Sequence, residues 1–148
     1  MYRHILIATD GSELAHKGVA HGLALAARLQ ARVTALTVSE PIVTGFDDAL
    51  GWGTLGAAAS EFEAAREQAA KKILDAVEAE ARQAGVAVQA KHVSGRYAAE
   101  AIAHVAEAEG CDLVVMASHG RRGLGRLLVG SQTQEVLTHS RIPVLVIR

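Results

Sequence analysis

"LVVMASHGRRGLGRLLVGSQTQEVL", residues 113–137, carries three kinds of chain in succession. Leu113, Val114, Val115 and Met116 form a short apolar run without alternation, the pattern of a strand buried on both faces. Gly120, Gly123, Gly125 and Gly130 then break the regularity, with Arg121, Arg122 and Arg126 set among them. Residues 132–139 read as a short helix. A buried strand, a glycine-rich turn and a helix make half of a βαβ unit, and the rest of the chain repeats the alternation.

Upstream, residues 5–9 read as a buried strand that Asp10-Gly11-Ser12 breaks, and Ser12 suits the N-cap of a helix over 13–29. Residues 33–38 are a second strand. Residues 39–56, with Pro41, Gly45, Gly51, Trp52 and Gly53, lack a period and read as a long connection. Phe62, Ala65, Ala69, Ile73, Leu74 and Val77 then fall at helical spacing, predicting an amphipathic helix over 57–84 that Gly85 ends. Residues 86–93 read as a third strand nearer an edge, 98–109 as a helix closed by Gly110, and 143–147 as the last strand. Strands alternating with helices, and no hairpin signal, predict an open, Rossmann-like α/β fold: a five-stranded parallel sheet with helices on both faces. Ligands of such sheets bind beyond the carboxyl ends of the strands, where the winding reverses. Two turns sit at such ends, 9–12 and 117–131, and they line one crevice if the first and fourth strands are neighbours.

The totals narrow the function classes. A chain of 148 residues predicts one domain. At 50% hydrophobic but only 3% aromatic, its core must rest on Val, Ile, Leu and Ala. A net charge of −1 and a pI near 6.6 argue against binding nucleic acid or an anionic membrane in bulk. No apolar run reaches the ~20 residues of a membrane helix, and residues 1–4 open no signal peptide, so no membrane insertion is expected. One cysteine, Cys111, excludes an intrachain disulfide and fits a reducing, cytoplasmic setting.

In the later turn, glycines free the backbone to adopt positive φ and present N–H groups inward. Gly130-Ser131 opens a helix, where backbone donors, a hydroxyl and the helix dipole converge, and arginines add charge. That is phosphate chemistry; on the residues alone the alternative is a solvated loop with Ser131 as a plain N-cap. It is neither a Walker A loop nor a dinucleotide fingerprint. Asp10 either caps the first helix with Ser12 or accepts hydrogen bonds from a ribose or an adenine amino group. The seven histidines show no paired ligand spacing. Ser118 and His119 are adjacent, and neighbours on a loop are not expected to orient one another as a catalytic pair. Cys111 reads as a packed small residue.

"ILIATDGSE" at 5–13, residues 111–137 and the closing "IPVLVIR" at 142–148 together resemble the universal stress protein family over essentially the whole chain. Nucleotide-binding members carry Gly-x2-Gly-x9-Gly-Ser/Thr; here Gly120, nine residues and Gly130-Ser131 match, with Ala117 in place of the first glycine. The resemblance implies strand order 3-2-1-4-5 and ATP or AMP in the crevice. By position, Ala8, Thr9 and Asp10 would border adenine and ribose, with Val38 against the base. Ala117, Ser118, His119, Gly120, Arg121, Arg122 and Gly123, then Gly130, Ser131, Gln132 and Thr133, would hold ribose and phosphates. A magnesium or manganese ion would be held mainly by the phosphates, with no protein ligand assigned. Members also commonly form homodimers through the last strand. Three functions follow: a nucleotide-binding stress-response regulator, a slow ATP hydrolase with no catalytic residue assigned, and an interaction protein that binds no nucleotide.

Overall fold

The computed structural model describes residues 1–41, 52–120 and 129–148, with side chains in the second helix described from residue 59 onward. The order is β1 (His4–Ala8), α1 (Glu13–Leu29), β2 (Arg32–Ser39), α2 (Trp52–Ala84), β3 (Val88–Ser94), α3 (Ala98–Ala108), β4 (Leu113–Ala117), α4 (Ser131–His139) and β5 (Val144–Ile147). All five strands run parallel in the order β3-β2-β1-β4-β5, as expected.

The central place of β1 explains its unbroken apolar run. Ile5, Leu6 and Ile7 are all fully buried because both faces of the strand are covered. Ile5 and Ile7 pack with Val19 and Leu23 of α1 and with Leu74 and Val77 of α2. Leu6 points the other way, to Ile102 and Val105 of α3 and Val136 of α4. The two helix layers therefore lie on opposite faces, α1 with α2 and α3 with α4.

Local chemistry sets the element ends. Ser12 Oγ accepts the Ala15 N–H at 3.2 Å, capping α1 as the sequence predicts. Gly85 and Gly110 follow α2 and α3 with φ of +67° and +66°, left-handed values that favour glycine. α2 departs from expectation: it begins at Trp52, within the stretch that reads as a connection in sequence. Gly53 and Gly56 are weak helix formers that mimic a loop in sequence, yet they do not stop this helix. The rest of that connection, residues 42–51, lies outside the described residues.

α2 is long. Its 33 residues span about 50 Å, and among its described side chains the buried ones, Ala70, Leu74, Val77 and Ala81, occupy the later half. Its earlier part reaches the carboxyl ends of β2 and β3, where Glu63 accepts from the Ser94 hydroxyl and Arg66 donates to the Glu40 carbonyl. Among the described residues, no helix is long and apolar enough to cross a membrane.

Candidate functional site

Parallel pairing of Ile7 with Val115 sets β1 directly beside β4, so the turns that follow them emerge side by side. In the first turn, Thr9 is tied down from three directions. Its N–H donates to the Leu36 carbonyl at 2.9 Å, its carbonyl accepts the Thr37 hydroxyl at 2.9 Å, and its own hydroxyl accepts the Gly11 N–H at 3.2 Å. Asp10 Oδ1 accepts the Ser12 N–H at 2.9 Å, an Asx turn that leads into the capped helix. Its other oxygen, Oδ2, lies against Gly120 so closely that a Cβ built there would collide with it. A carboxylate of the first turn thus meets the glycine of the second.

The second turn is pinned just as firmly. The Ser118 N–H donates to the Ile147 carbonyl at 2.8 Å, and its carbonyl accepts the Gly130 N–H at 2.8 Å. The buried Thr133 hydroxyl lies 3.1 Å from both the Ala117 and the Ser118 carbonyls. At Gly130 the chain is again within a hydrogen bond of the residue that follows β4. Ala8 and Val38 each pack against the buried cluster on the α3/α4 side of the sheet.

The first three amides of α4 have no partner inside the helix, because the first intrahelical bond is Gln134 N–H to Gly130 O at 2.9 Å. Together these amides carry the positive end of the helix dipole. Thus Ala8, Thr9, Asp10, Val38, Ala117, Ser118, His119, Gly120, Gly130, Ser131, Gln132 and Thr133 gather at the carboxyl-end side of the sheet. Arg121, Arg122 and Gly123 lie outside the described residues, as do Gly125 and Arg126.

Two readings of this loop's local chemistry change, and two of its side chains make contacts the sequence does not show. Gly130 has φ −61° and Gly120 is not a positive-φ residue, so neither is needed for an unusual backbone angle. What they supply is close approach: a Cβ on Gly130 would lie 3.3 Å from the Ser118 carbonyl oxygen and 3.4 Å from His119 Cα. The cap of α4 is Gly130, not Ser131, which is the first helical residue and exposed. Ser118 Oγ lies 3.2 Å from His119 Nδ1, so these neighbours do meet, Ser118 being fixed by its backbone bonds. The Gln132 side chain is engaged elsewhere, its Oε1 accepting the Ala99 N–H of α3 at 3.0 Å.

A second polar cluster, missed in the sequence, lies at the opposite end of the strands. His4 is buried, with Nδ1 3.1 Å from the Glu109 carbonyl oxygen and Nε2 2.8 Å from Thr34 Oγ1. Burial, and next the nearby Arg32 charge, hold its pKa below 6.5. Burial also pushes the Cys111 thiol up to about 11, leaving a packed, unreactive thiol as expected. The described residues contain no group of three or more His, Cys, Asp or Glu placed to hold a metal ion.

Comparison with known proteins agrees with this architecture. The model of the universal stress protein family matches residues 1–148. The universal stress protein MJ0577 of Methanocaldococcus jannaschii is 32% identical over 156 residues, spanning all of this chain and 96% of that protein. The solved structure of MJ0577 superposes with a TM-score of 0.78 at 30% identity, covering 99% of this chain and 96% of the other. A universal stress protein in complex with cAMP superposes at 0.71 with 21% identity, covering 99% of this chain and 97% of that one. One from Archaeoglobus fulgidus in complex with dAMP also superposes at 0.71, with 16% identity, over 99% and 98% of the two chains. With its β1 and β4 turns closed on each other at the switch of a 3-2-1-4-5 sheet, and with this match along its whole length, the chain belongs to the universal stress protein family.

Proposed function

We propose that this protein binds an adenine nucleotide, ATP or AMP, between the β1 and β4 turns and acts as a stress-response regulator. The observation that carries the reading is the meeting of Asp10 with Gly120, which joins the two turns at the sheet's switch point. Ala8, Thr9, Asp10 and Val38 border the base and ribose. The first turn of α4 offers N–H groups to ribose and phosphates, as helix N-termini do for anions, and Gly120 and Gly130 allow close approach of the two turns. The cAMP and dAMP complexes of similarly folded proteins support the adenine choice.

Regulation is favoured over turnover because Asp10 is engaged in forming its turn rather than placed to activate water. Any divalent ion would come with the phosphates. A cytoplasmic location suits the free thiol of Cys111.

Calorimetry with ATP and AMP tests the reading. The wild-type chain should bind, and Gly130→Val should weaken binding at least about tenfold while remaining folded. Valine tolerates the φ of −61° and ψ of 152° at this position, but its branches would press on Ser118 and His119. Wild-type affinity in a folded Gly130→Val protein would overturn the proposal.

A further inference from the structure

α3 begins without help from its own cap. Tyr97, the N-cap residue, makes no side-chain hydrogen bond to the helix. The first intrahelical bond of α3 is Ala101 N–H to Tyr97 O at 3.0 Å, so the amides of Ala98, Ala99 and Glu100 need acceptors from outside the helix. The amide of Ala99 finds one on another helix, the side-chain oxygen of Gln132 in the first turn of α4. An N–H can donate only to an oxygen here, so the contact fixes which end of the Gln132 amide faces α3.

The two helices therefore begin side by side. Ala99 and Ile102 of α3 share a buried cluster with Val136 of α4, so the pairing continues below the first turns. Two helix N-termini held close together repel through their positive ends. The negative end of the Gln132 amide dipole, placed at the Ala99 N–H, offsets that repulsion. Next along the chain, the Thr133 hydroxyl holds the carbonyls of Ala117 and Ser118. Gln132 ties the first turn of α4 to α3, and Thr133 ties it to the end of β4. Between them these bonds set where the leading amides of α4 point.

We infer that Gln132 is a positioning residue: its side chain caps α3 in trans and so aims the N-terminus of α4 into the crevice, without itself reaching the ligand. The inference rests on the nucleotide reading above. Gln132→Met keeps the length and removes the acceptor, whereas Gln132→Glu keeps an acceptor oxygen at the same reach. Two measurements on the full chain separate the possibilities: hydrogen exchange of residues 98–101 and 131–135, and ATP binding by calorimetry. Gln132→Met should speed exchange in both segments and weaken ATP binding by roughly three- to tenfold, the scale of one lost cap. Gln132→Glu should restore the exchange protection.

Unchanged exchange in Gln132→Met overturns the inference, and so does ATP binding at wild-type strength despite faster exchange. Failure of Gln132→Glu to restore protection overturns it as well. If the wild-type chain binds neither ATP nor AMP while exchange behaves as described, the nucleotide reading has failed. The positioning role then falls with it, leaving a purely structural cap.

Discussion

His4 shows how much one residue's surroundings decide. A carbonyl oxygen only accepts, so the contact with Glu109 O puts the proton on Nδ1 and leaves Nε2 to accept from the Thr34 hydroxyl. Both nitrogens are thereby used by the neutral ring, and protonation would break the Thr34 donation inside a buried site. Burial and Arg32 accordingly lower the pKa from 6.5, opposed in part by the Glu109 carbonyl and then by the charges of Glu109 and Asp112. The sign follows from linkage. Where the unfolded chain binds a proton that the folded one refuses, stability rises with pH. Stability should therefore fall as pH drops below about 6.5 and level off once the folded-state pKa is passed. Urea unfolding at pH 7.5 and 5.5 measures this, and His4→Gln should flatten the difference. An equal pH dependence in both proteins would assign the effect to other groups.

At the scale of an element, α1 lies on the sheet through two glycines, Gly18 and Gly22, with unlike surroundings. A Cβ on Gly22 would fall 2.5 Å from Ile7 Cδ1 and 2.9 Å from Ile7 Cγ1 in the fully packed core. A Cβ on Gly18 would lie 3.6 Å from the Ala117 nitrogen, an ordinary contact. Alanine gains up to ~1 kcal/mol over glycine within a helix. Overpacking a core costs about 1–3 kcal/mol, which outweighs that gain at Gly22. Gly22→Ala should be net destabilising by roughly 1 kcal/mol, lowering the melting temperature by about 3 °C, whereas Gly18→Ala should be neutral or stabilising. Thermal unfolding of the two variants checks the contrast, and a rise in melting temperature for Gly22→Ala would show that Ile7 has room to turn aside.

At the scale of the molecule, the sheet has two edges of different character. β3 carries Gln89, Lys91 and His92, and Lys91 pairs with Glu109, so charge and polarity guard that edge. β5 reads Val144, Leu145, Val146 and Ile147, with Leu145 38% exposed and Pro143 only at its start. An apolar edge strand of this kind invites pairing, and a second copy about a two-fold axis would cover it in a closed way. The homodimer through β5 therefore belongs with the proposed function. Light scattering should give about twice the 15.5 kDa chain mass, and Val146→Lys should return the protein to the single-chain mass. A wild-type protein already at the single-chain mass would rule the dimer out.

Most of the architecture was legible before folding, because it follows from local pattern. The unbroken apolar run at residues 5–7 requires a strand covered on both faces, Ser12 marks a helix start, and Gly85 and Gly110 mark helix ends. The glycine spacing from 120 to 130 likewise marks the later loop as a candidate site. The start of α2 is not legible because Gly53 and Gly56 look like a turn locally, and glycine propensity is a weak term that longer context overrides. Other features belong to tertiary structure alone. Asp10 and Gly120 are distant in sequence and meet only because β1 pairs with β4. Ala99 and Gln132 meet only because α3 and α4 cover the same face of the sheet. The His4 environment is assembled from β2, the end of α3 and the approach to β4. Propensity and periodicity act over a few residues. Pairings across the sheet depend on strand order, and strand order exists only once the chain has folded.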